Sequence, residues 1–219
     1  MKNALINGGS TGIGLDTAKR LGARGVTVTI TGRDSAKLDK AAIAIEKAGS
    51  PRVTTKAVDL YDRPQVDGFA RELSTGTAFD YLVNSAGYFF LTPFLKHTRE
   101  NFHQYHDINE SFFFLTQAVA QRMVDQHLKG SIVNIGSMWA KQAIKVTPSS
   151  AYSMAKAGLH SLTPASGHGI IRTWHPRERR FPRRCGNAYL RRFHQAGGDQ
   201  QDVGRVQCLS PDRSRGYCG

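Results

Sequence analysis

The stretch that most limits what this chain can become is its beginning, MKNALINGGSTGIGLDTAKRLG. A short apolar run, Asn3 to Asn7, meets the glycine-rich GGSTGIG and then residues with helical spacing. A strand that ends in a glycine turn opening a helix is the first half of a β-α-β unit, whose parallel strands are covered on both faces. Tight turns call for glycine in any case. In this context, though, Gly8, Gly12 and Gly14 let backbone come close to whatever sits above the helix N-terminus, where first-turn N–H groups point outward and attract phosphate. The loop, with Ser10, Thr11 and Ile13 beside the glycines, is read as a dinucleotide cradle.

The alternation continues along the chain. Strand-like runs lie at Asn3 to Asn7, Val26 to Thr31, Arg52 to Val58, Tyr81 to Asn84 and Ser131 to Ile135, separated by helical patterns near 13–24, 35–48, 63–74 and 99–127. The last of these carries Phe112, Phe113, Leu115, Val119 and Met123 and reads as a central buried helix. A further helix starts near Ser149 or Ser150 and carries Tyr152 to Leu162. The expected fold class is α/β, a Rossmann-type doubly wound parallel sheet, over residues 1–163. The second strand ends at Thr31, Gly32 and Arg33, where an NAD site puts an acid against the ribose hydroxyls. No acid stands at Gly32, and Arg33 offers a planar fork to a 2′-phosphate, so NADP is expected in preference to NAD. A solvated Arg33 followed by an Asp34 helix cap is the competing account.

Chemistry is carried by Ser137, after SIVNIG, and by Tyr152 and Lys156 in YSMAK. The four-residue spacing puts Tyr152 and Lys156 on one helix face. A tyrosine with its ordinary pKa of about 10 donates a proton poorly at neutral pH unless a cation stabilises the phenolate. Lys156 is that cation. Ser137 then hydrogen-bonds a substrate carbonyl while Tyr152 gives or takes the proton as a hydride moves. On its own the tyrosine–lysine pair is an ordinary surface pairing.

Taken together these blocks resemble the short-chain dehydrogenase/reductase family over residues 2–163. The resemblance rests on NGGSTGIG, on Asp59 and Leu60, on NSAG with Asn84, Ala86 and Gly87, on Asn109 in DINESFFF, on IGS ending at Ser137, and on YSMAK, in that order. It implies that Asp59 and Leu60 lie beside adenine and that Asn84, Ala86 and Gly87 lie under the nicotinamide half. It also implies that Asn109 holds a water in a proton relay behind Lys156, and that Tyr152 and Lys156 touch the nicotinamide ribose. The implied activity is hydride transfer between NADP(H) and a small carbonyl or alcohol substrate. Three departures stand out: Asn7 where the family usually has Thr, Ser85 where it usually has a second Asn, and a slightly long interval between Ser137 and Tyr152. The first two read as mild polar swaps.

The last quarter reads differently. The chain's formal net charge is +13, and residues 164–219 contribute more than half of it, with 11 Arg, no Lys and 4 acids. Cys185, Cys208 and Cys218 all lie there, without the spacing of a metal site or a closed disulfide set. Pro164, Pro176, Pro182 and Pro211 interrupt any periodicity, so an irregular, poorly packed basic tail is expected. Back-translation offers a cause. Codons for Thr163 to Phe181 exist which, with one C deleted at the start, read TQHLAMELSGHGIRVNAV, a run that resembles the missing family blocks in order. A frameshift at Thr163 or Pro164 is inferred. It leaves a catalytically impaired or inactive product, at best binding nucleotide, as the rival function, and makes the family's homo-oligomer doubtful with this tail. Such a tail also weakens a nucleic-acid reading of the charge. His103, His106 and Asp107 have a metal-like spacing but read as a solvated helix face, so no metal is expected. Trp139 either touches substrate or covers the core edge. No run approaches the roughly 18 apolar residues of a membrane span, and the start lacks a long apolar leader, so the expected compartment is cytoplasmic.

Overall fold

The structure, a computed structural model, describes residues 1–142, 146–173 and 206–208. Five strands lie parallel: β1 (Asn3–Asn7), β2 (Thr27–Gly32), β3 (Val53–Ala57), β4 (Tyr81–Asn84) and β5 (Ser131–Ile135). A short sixth strand, β6 (Val206–Cys208), runs antiparallel beside β5, and the order across the sheet is β3-β2-β1-β4-β5-β6. Helices α1 (Gly12–Gly22), α2 (Ser35–Lys47), α3 (Arg63–Thr75), α4 (Arg99–Asp125) and α5 (Ser150–Thr173) connect and cover them. Strand order reverses between β1 and β4, which opens a crevice at the carboxyl ends of these two strands.

Side chains alternate across the strands, so neighbours feed opposite layers. Leu5, Leu82 and Ile132 point into a core shared with Val66, Phe69 and Leu73 of α3, Phe112, Leu115 and Val119 of α4, and Leu159 of α5. Ile6, Val28, Ile30 and Val83 point the other way, onto Ala18 of α1 and Leu38, Ala41 and Ile45 of α2. Helix starts are specified locally: Asp34 accepts from the Lys37 N–H, Asp62 from the Gln65 N–H with Pro64 in the first turn, and Thr98 and Asn101 form a reciprocal capping box on α4. One expectation needs correcting. Phe113 is not part of the buried stripe of α4; it lies with Phe114 on the outer face, 46% and 44% exposed, because the core stripe passes through 108, 112, 115 and 119.

Beneath the crevice runs a single row of buried polar side chains. Thr31, Asn7, Asn84 and Asn134 are direct cross-strand partners on β2, β1, β4 and β5. Thr31 Oγ1 donates to Asn7 Oδ1 (3.1 Å), Asn7 Nδ2 to Asn84 Oδ1 (2.8 Å) and Asn84 Nδ2 to Asn134 Oδ1 (2.8 Å). Asn134 Nδ2 donates onward to Thr163 Oγ1 of α5 (3.0 Å), and Asn84 Nδ2 also to Thr116 Oγ1 of α4 (2.9 Å). Every amide here is satisfied on both sides, which is the condition for a polar group to lie in a core without cost. Asn7 is therefore more than a polar swap. It spans two strands, accepting from one and donating to the other.

Two pieces of regular structure fall inside the segment expected to be irregular. Helix α5 continues through Pro164 to Thr173, and β6 pairs with β5, antiparallel rather than parallel. Pro164 removes one backbone donor, but a helix already packed along α4 tolerates that loss better than an isolated one. The remainder of the basic tail, with Cys185, Cys218, Pro176, Pro182 and Pro211, lies outside the described residues, as does most of the span to which the frameshift reading applies. Among the described residues no helix is long and apolar enough to cross a membrane.

Replacing Asn7 by Thr shortens the side chain that spans β2 and β4, leaving one buried partner without its bond. Asn7→Thr is expected to lower unfolding free energy by roughly 1–3 kcal/mol in urea denaturation; an unchanged midpoint would remove Asn7 from the row's energetics.

Candidate active site

Each strand carrying the polar row ends in a loop that lines the crevice. After β1, Gly8 has φ +80° and Gly12 φ +55°, conformations that favour glycine. A Cβ on Gly8 would lie 2.5 Å from the backbone nitrogen of Ala86, and one on Gly14 would run into the Gly8 carbonyl, so this loop packs without side chains against NSAG. Gly8 N–H and Gly9 N–H both donate to the Thr31 carbonyl, while Ser85 N–H and Ala86 N–H both donate to the Asn7 carbonyl. Helix α1 starts with no side-chain cap from Thr11 and no acid in its first turn, and Thr11, Gly12 and Ile13 are exposed. Its outward N–H groups are thus offered to an external anion. The cradle fits a dinucleotide phosphate.

At the outer end of the crevice, Ser10 lies close to Gly32: a Cβ on Gly32 would meet Ser10 Oγ at 3.1 Å. Arg33 is exposed, with its guanidinium 5.5 Å from the ring centroid of Tyr61. Tyr61 is tethered in turn, its hydroxyl donating to the Gln104 carbonyl (3.1 Å) and its N–H to Asp59 Oδ1 (3.0 Å). Burial raises the Tyr61 pKa, with the positive charge of Arg33 opposing the shift. Leu60 is buried, and its carbonyl accepts from Ser111 Oγ of α4 (2.6 Å). Asp34 does cap α2, as the competing account requires, and Arg33 remains free to stack on Tyr61 beside it.

At the inner end, Ser137, Tyr152 and Lys156 come together above β5. Ser137 is fully buried, and its Oγ accepts from the Trp139 N–H (3.3 Å). Lys156 Nζ donates to the Ile135 carbonyl (2.8 Å), lies 5.7 Å from the Tyr152 ring centroid, and faces Gly87, whose Cβ would sit 4.0 Å away. Burial lowers the Lys156 pKa from 10.5 to about 8. Asn109 Nδ2 donates to the Ala155 carbonyl (2.6 Å), the residue before Lys156, so α4 grips α5 at this point.

Several neighbours escaped the sequence reading. Phe89 packs edge-on against Tyr152, ring centroids 4.7 Å apart, and Tyr105 lies 5.7 Å away on the same ring. The Tyr105 hydroxyl also holds the loop, donating to the Phe90 carbonyl (2.9 Å) and accepting from its N–H (3.2 Å). Trp139, which the sequence leaves between substrate contact and the core edge, is 7% exposed and clusters with Tyr105, Tyr152 and Ala155, as a core-edge residue does. His160 meets the backbone of Ser137. None of these stands in a motif; a histidine four residues after Lys156 was the one available signal. His103 and Asp107 form an exposed pair, Nδ1 to Oδ1 3.6 Å, and the described residues contain no group of three or more metal-ligating side chains.

Residues 2–172 match the family model for short chain dehydrogenases. An uncharacterized oxidoreductase of Staphylococcus saprophyticus is 32% identical over 174 residues, covering 78% of this chain and 73% of that protein. NADPH carbonyl reductase 2 of Sus scrofa is 35% identical over 164 residues, covering 73% of this chain and 62% of its own length. Among solved structures, a short-chain dehydrogenase from Sphingobium yanoikuyae in complex with NADPH matches with a TM-score of 0.72 at 27% identity, over 79% of this chain and 67% of that one. The chain thus spans between 62% and 73% of the length of these two curated relatives. A match across most of the chain, on a fold whose loops already meet the demands of a dinucleotide phosphate, makes it a member of the short-chain dehydrogenase family of NAD(P)-dependent oxidoreductases.

Proposed function

We propose that the chain is an NADP(H)-preferring reductase or dehydrogenase acting on a small carbonyl or alcohol substrate. The observation that carries this reading is the position of Lys156: one largely buried ammonium stands between the Tyr152 ring and Gly87, anchored on the Ile135 carbonyl. When bound, the dinucleotide supplies or takes up the hydride at the carbonyl carbon. Ser137 Oγ donates a hydrogen bond to the carbonyl oxygen, and the Tyr152 hydroxyl gives that oxygen its proton in reduction and takes it back in oxidation. With a pKa of about 8, Lys156 is about nine-tenths charged at pH 7 and stabilises the phenolate. Asn109, which donates to the Ala155 carbonyl next to Lys156, holds the water of a proton relay behind Lys156. Phe89, Tyr105 and buried Trp139 give this proton transfer an apolar flank.

The preference for NADP is supported by Arg33 and Tyr61. A tethered ring beneath the guanidinium restricts a long side chain before any 2′-phosphate arrives, which lowers the ordering cost of a charge-assisted contact. The carbonyl reductase named for NADPH and the dehydrogenase solved with NADPH are consistent with that preference.

Tyr152→Phe keeps the ring and removes the proton donor; kcat is expected to fall at least ~100-fold while the NADPH Kd stays within about twofold, as read by steady-state kinetics and nucleotide fluorescence. Near-normal turnover would sink the assigned chemistry. For the cofactor, Arg33→Ala should weaken NADPH binding about 10- to 100-fold and NADH binding by less than about threefold, and equal losses would make Arg33 a bystander. The third expectation concerns pH. The folded Lys156 pKa lies below the unfolded 10.5, so the unfolded chain binds more protons between about pH 8 and 10.5, and stability from this site rises with pH through that window. From pH 7 to pH 10 the unfolding free energy of wild type relative to Lys156→Met should increase by roughly 2–3 kcal/mol. A flat difference would show that the ammonium is not buried.

A further inference from the structure

Helix α5 presents Tyr152, Lys156 and His160 at successive four-residue intervals, and so along one face. Two of the three grip the chain where it leaves β5. Lys156 Nζ donates to the Ile135 carbonyl, and His160 Nε2 accepts from the Ser137 N–H at 3.3 Å. The grips bracket Gly136, which is buried, and a Cβ on Gly136 would run into the His160 imidazole. The imidazole therefore fills the volume that a side chain at 136 would take. Ser137 has extended backbone, φ −151° and ψ 152°, and is fully buried, so its N–H points into the core past the last residue of β5. A buried N–H without an acceptor is destabilising, and His160 supplies the acceptor.

We propose that His160 is a positioning residue for the reaction: by accepting the Ser137 N–H on Nε2 while filling the space beside Gly136, it sets where Ser137 Oγ stands relative to Tyr152. The ring then carries its proton on Nδ1, since a neutral imidazole accepts on one nitrogen only. His160 touches the backbone of Ser137, and its action is exerted through that residue. Because Tyr152, Lys156 and His160 share one rigid helix, the serine is referenced to the same body that carries the phenol, and misplacement of about 1 Å at a reacting group can cost about 100-fold in rate. The inference rests on the reading of Ser137 as the group that binds the carbonyl oxygen.

The test compares the full chain with His160→Ala, His160→Gln and the pair Gly136→Ala and Gly136→Ala/His160→Ala, using amide exchange by NMR, kinetics on a carbonyl substrate, NADPH titration and thermal unfolding. In His160→Ala the Ser137 amide should exchange about 10-fold faster with Asn134 unchanged, and kcat should fall about 10- to 100-fold while KM and the NADPH Kd move less than about threefold. His160→Gln, whose side-chain oxygen accepts, should recover most of both. Gly136→Ala should destabilise the fold, and the double variant should regain thermal stability without regaining kcat. Unchanged Ser137 exchange in folded His160→Ala, or faster exchange with unchanged kcat, would overturn the proposal, as would equal losses in the Ala and Gln variants. Ser137→Ala and Tyr152→Phe run alongside. If both keep full turnover the catalytic reading fails by itself, and the exchange data still decide whether His160 holds Ser137.

Discussion

The constraint on which the site depends is the register of four parallel strands at one level of the sheet. A parallel ladder of backbone bonds is weakly particular about register, because a shift by two residues restores the same pattern of faces. The row from Thr31 through Asn7 and Asn84 to Asn134 is not. Its amides meet only when these four residues stand side by side, and any slip would leave several buried donors and acceptors without partners. The loops that begin within two residues of the row, at Gly8, Arg33, Ser85 and Gly136, inherit their relative heights from it. Through Thr116 and Thr163 it also fixes α4 and α5, the helices that carry Asn109, Tyr152 and Lys156.

How much of this was legible in the sequence follows from how far apart the interacting residues are. The glycine loop, the strand ends and the four-residue interval from Tyr152 to Lys156 are local, and each was readable because backbone conformation or helical periodicity demands a residue type at a fixed spacing. The fold class followed from alternation alone. The role of Asn7 was not readable, because its partners lie 24 and 77 residues away. The same is true of Tyr61 beneath Arg33, of Phe89 on Tyr152 and of His160 under Ser137. Phe113 misled for another reason: four consecutive apolar residues, Phe112 to Leu115, cannot all face one way on a helix, and composition does not say which two turn outward. Pro164 was overrated as a helix stop, since its cost is a local figure and packing along α4 is a tertiary one.

The two cations of the crevice, Lys156 and Arg33, are kept in different ways. Lys156 is largely enclosed, its pKa drawn down by burial, and its one direct polar contact among the described residues is the neutral Ile135 carbonyl rather than a carboxylate. On the proposed chemistry an acid there would neutralise the field that the Tyr152 phenolate needs, whereas a carbonyl anchors the ammonium and leaves that field in place. Arg33, at the far end of the crevice, is handled the opposite way, kept in solvent and steadied by an aromatic face.

The row also bears on chemical durability. Asn7 precedes Gly8, and an asparagine followed by glycine is prone to cyclise when the glycine nitrogen attacks the side-chain amide carbon, ending as aspartate or isoaspartate. In the folded chain neither reactant can move: Gly8 N–H is bonded to the Thr31 carbonyl, and the Asn7 amide is held at its oxygen by Thr31 and at its nitrogen by Asn84. Unfolding frees both at once. An aspartate at this position could no longer donate to Asn84, so deamidation during time spent unfolded would hinder the return to the native sheet.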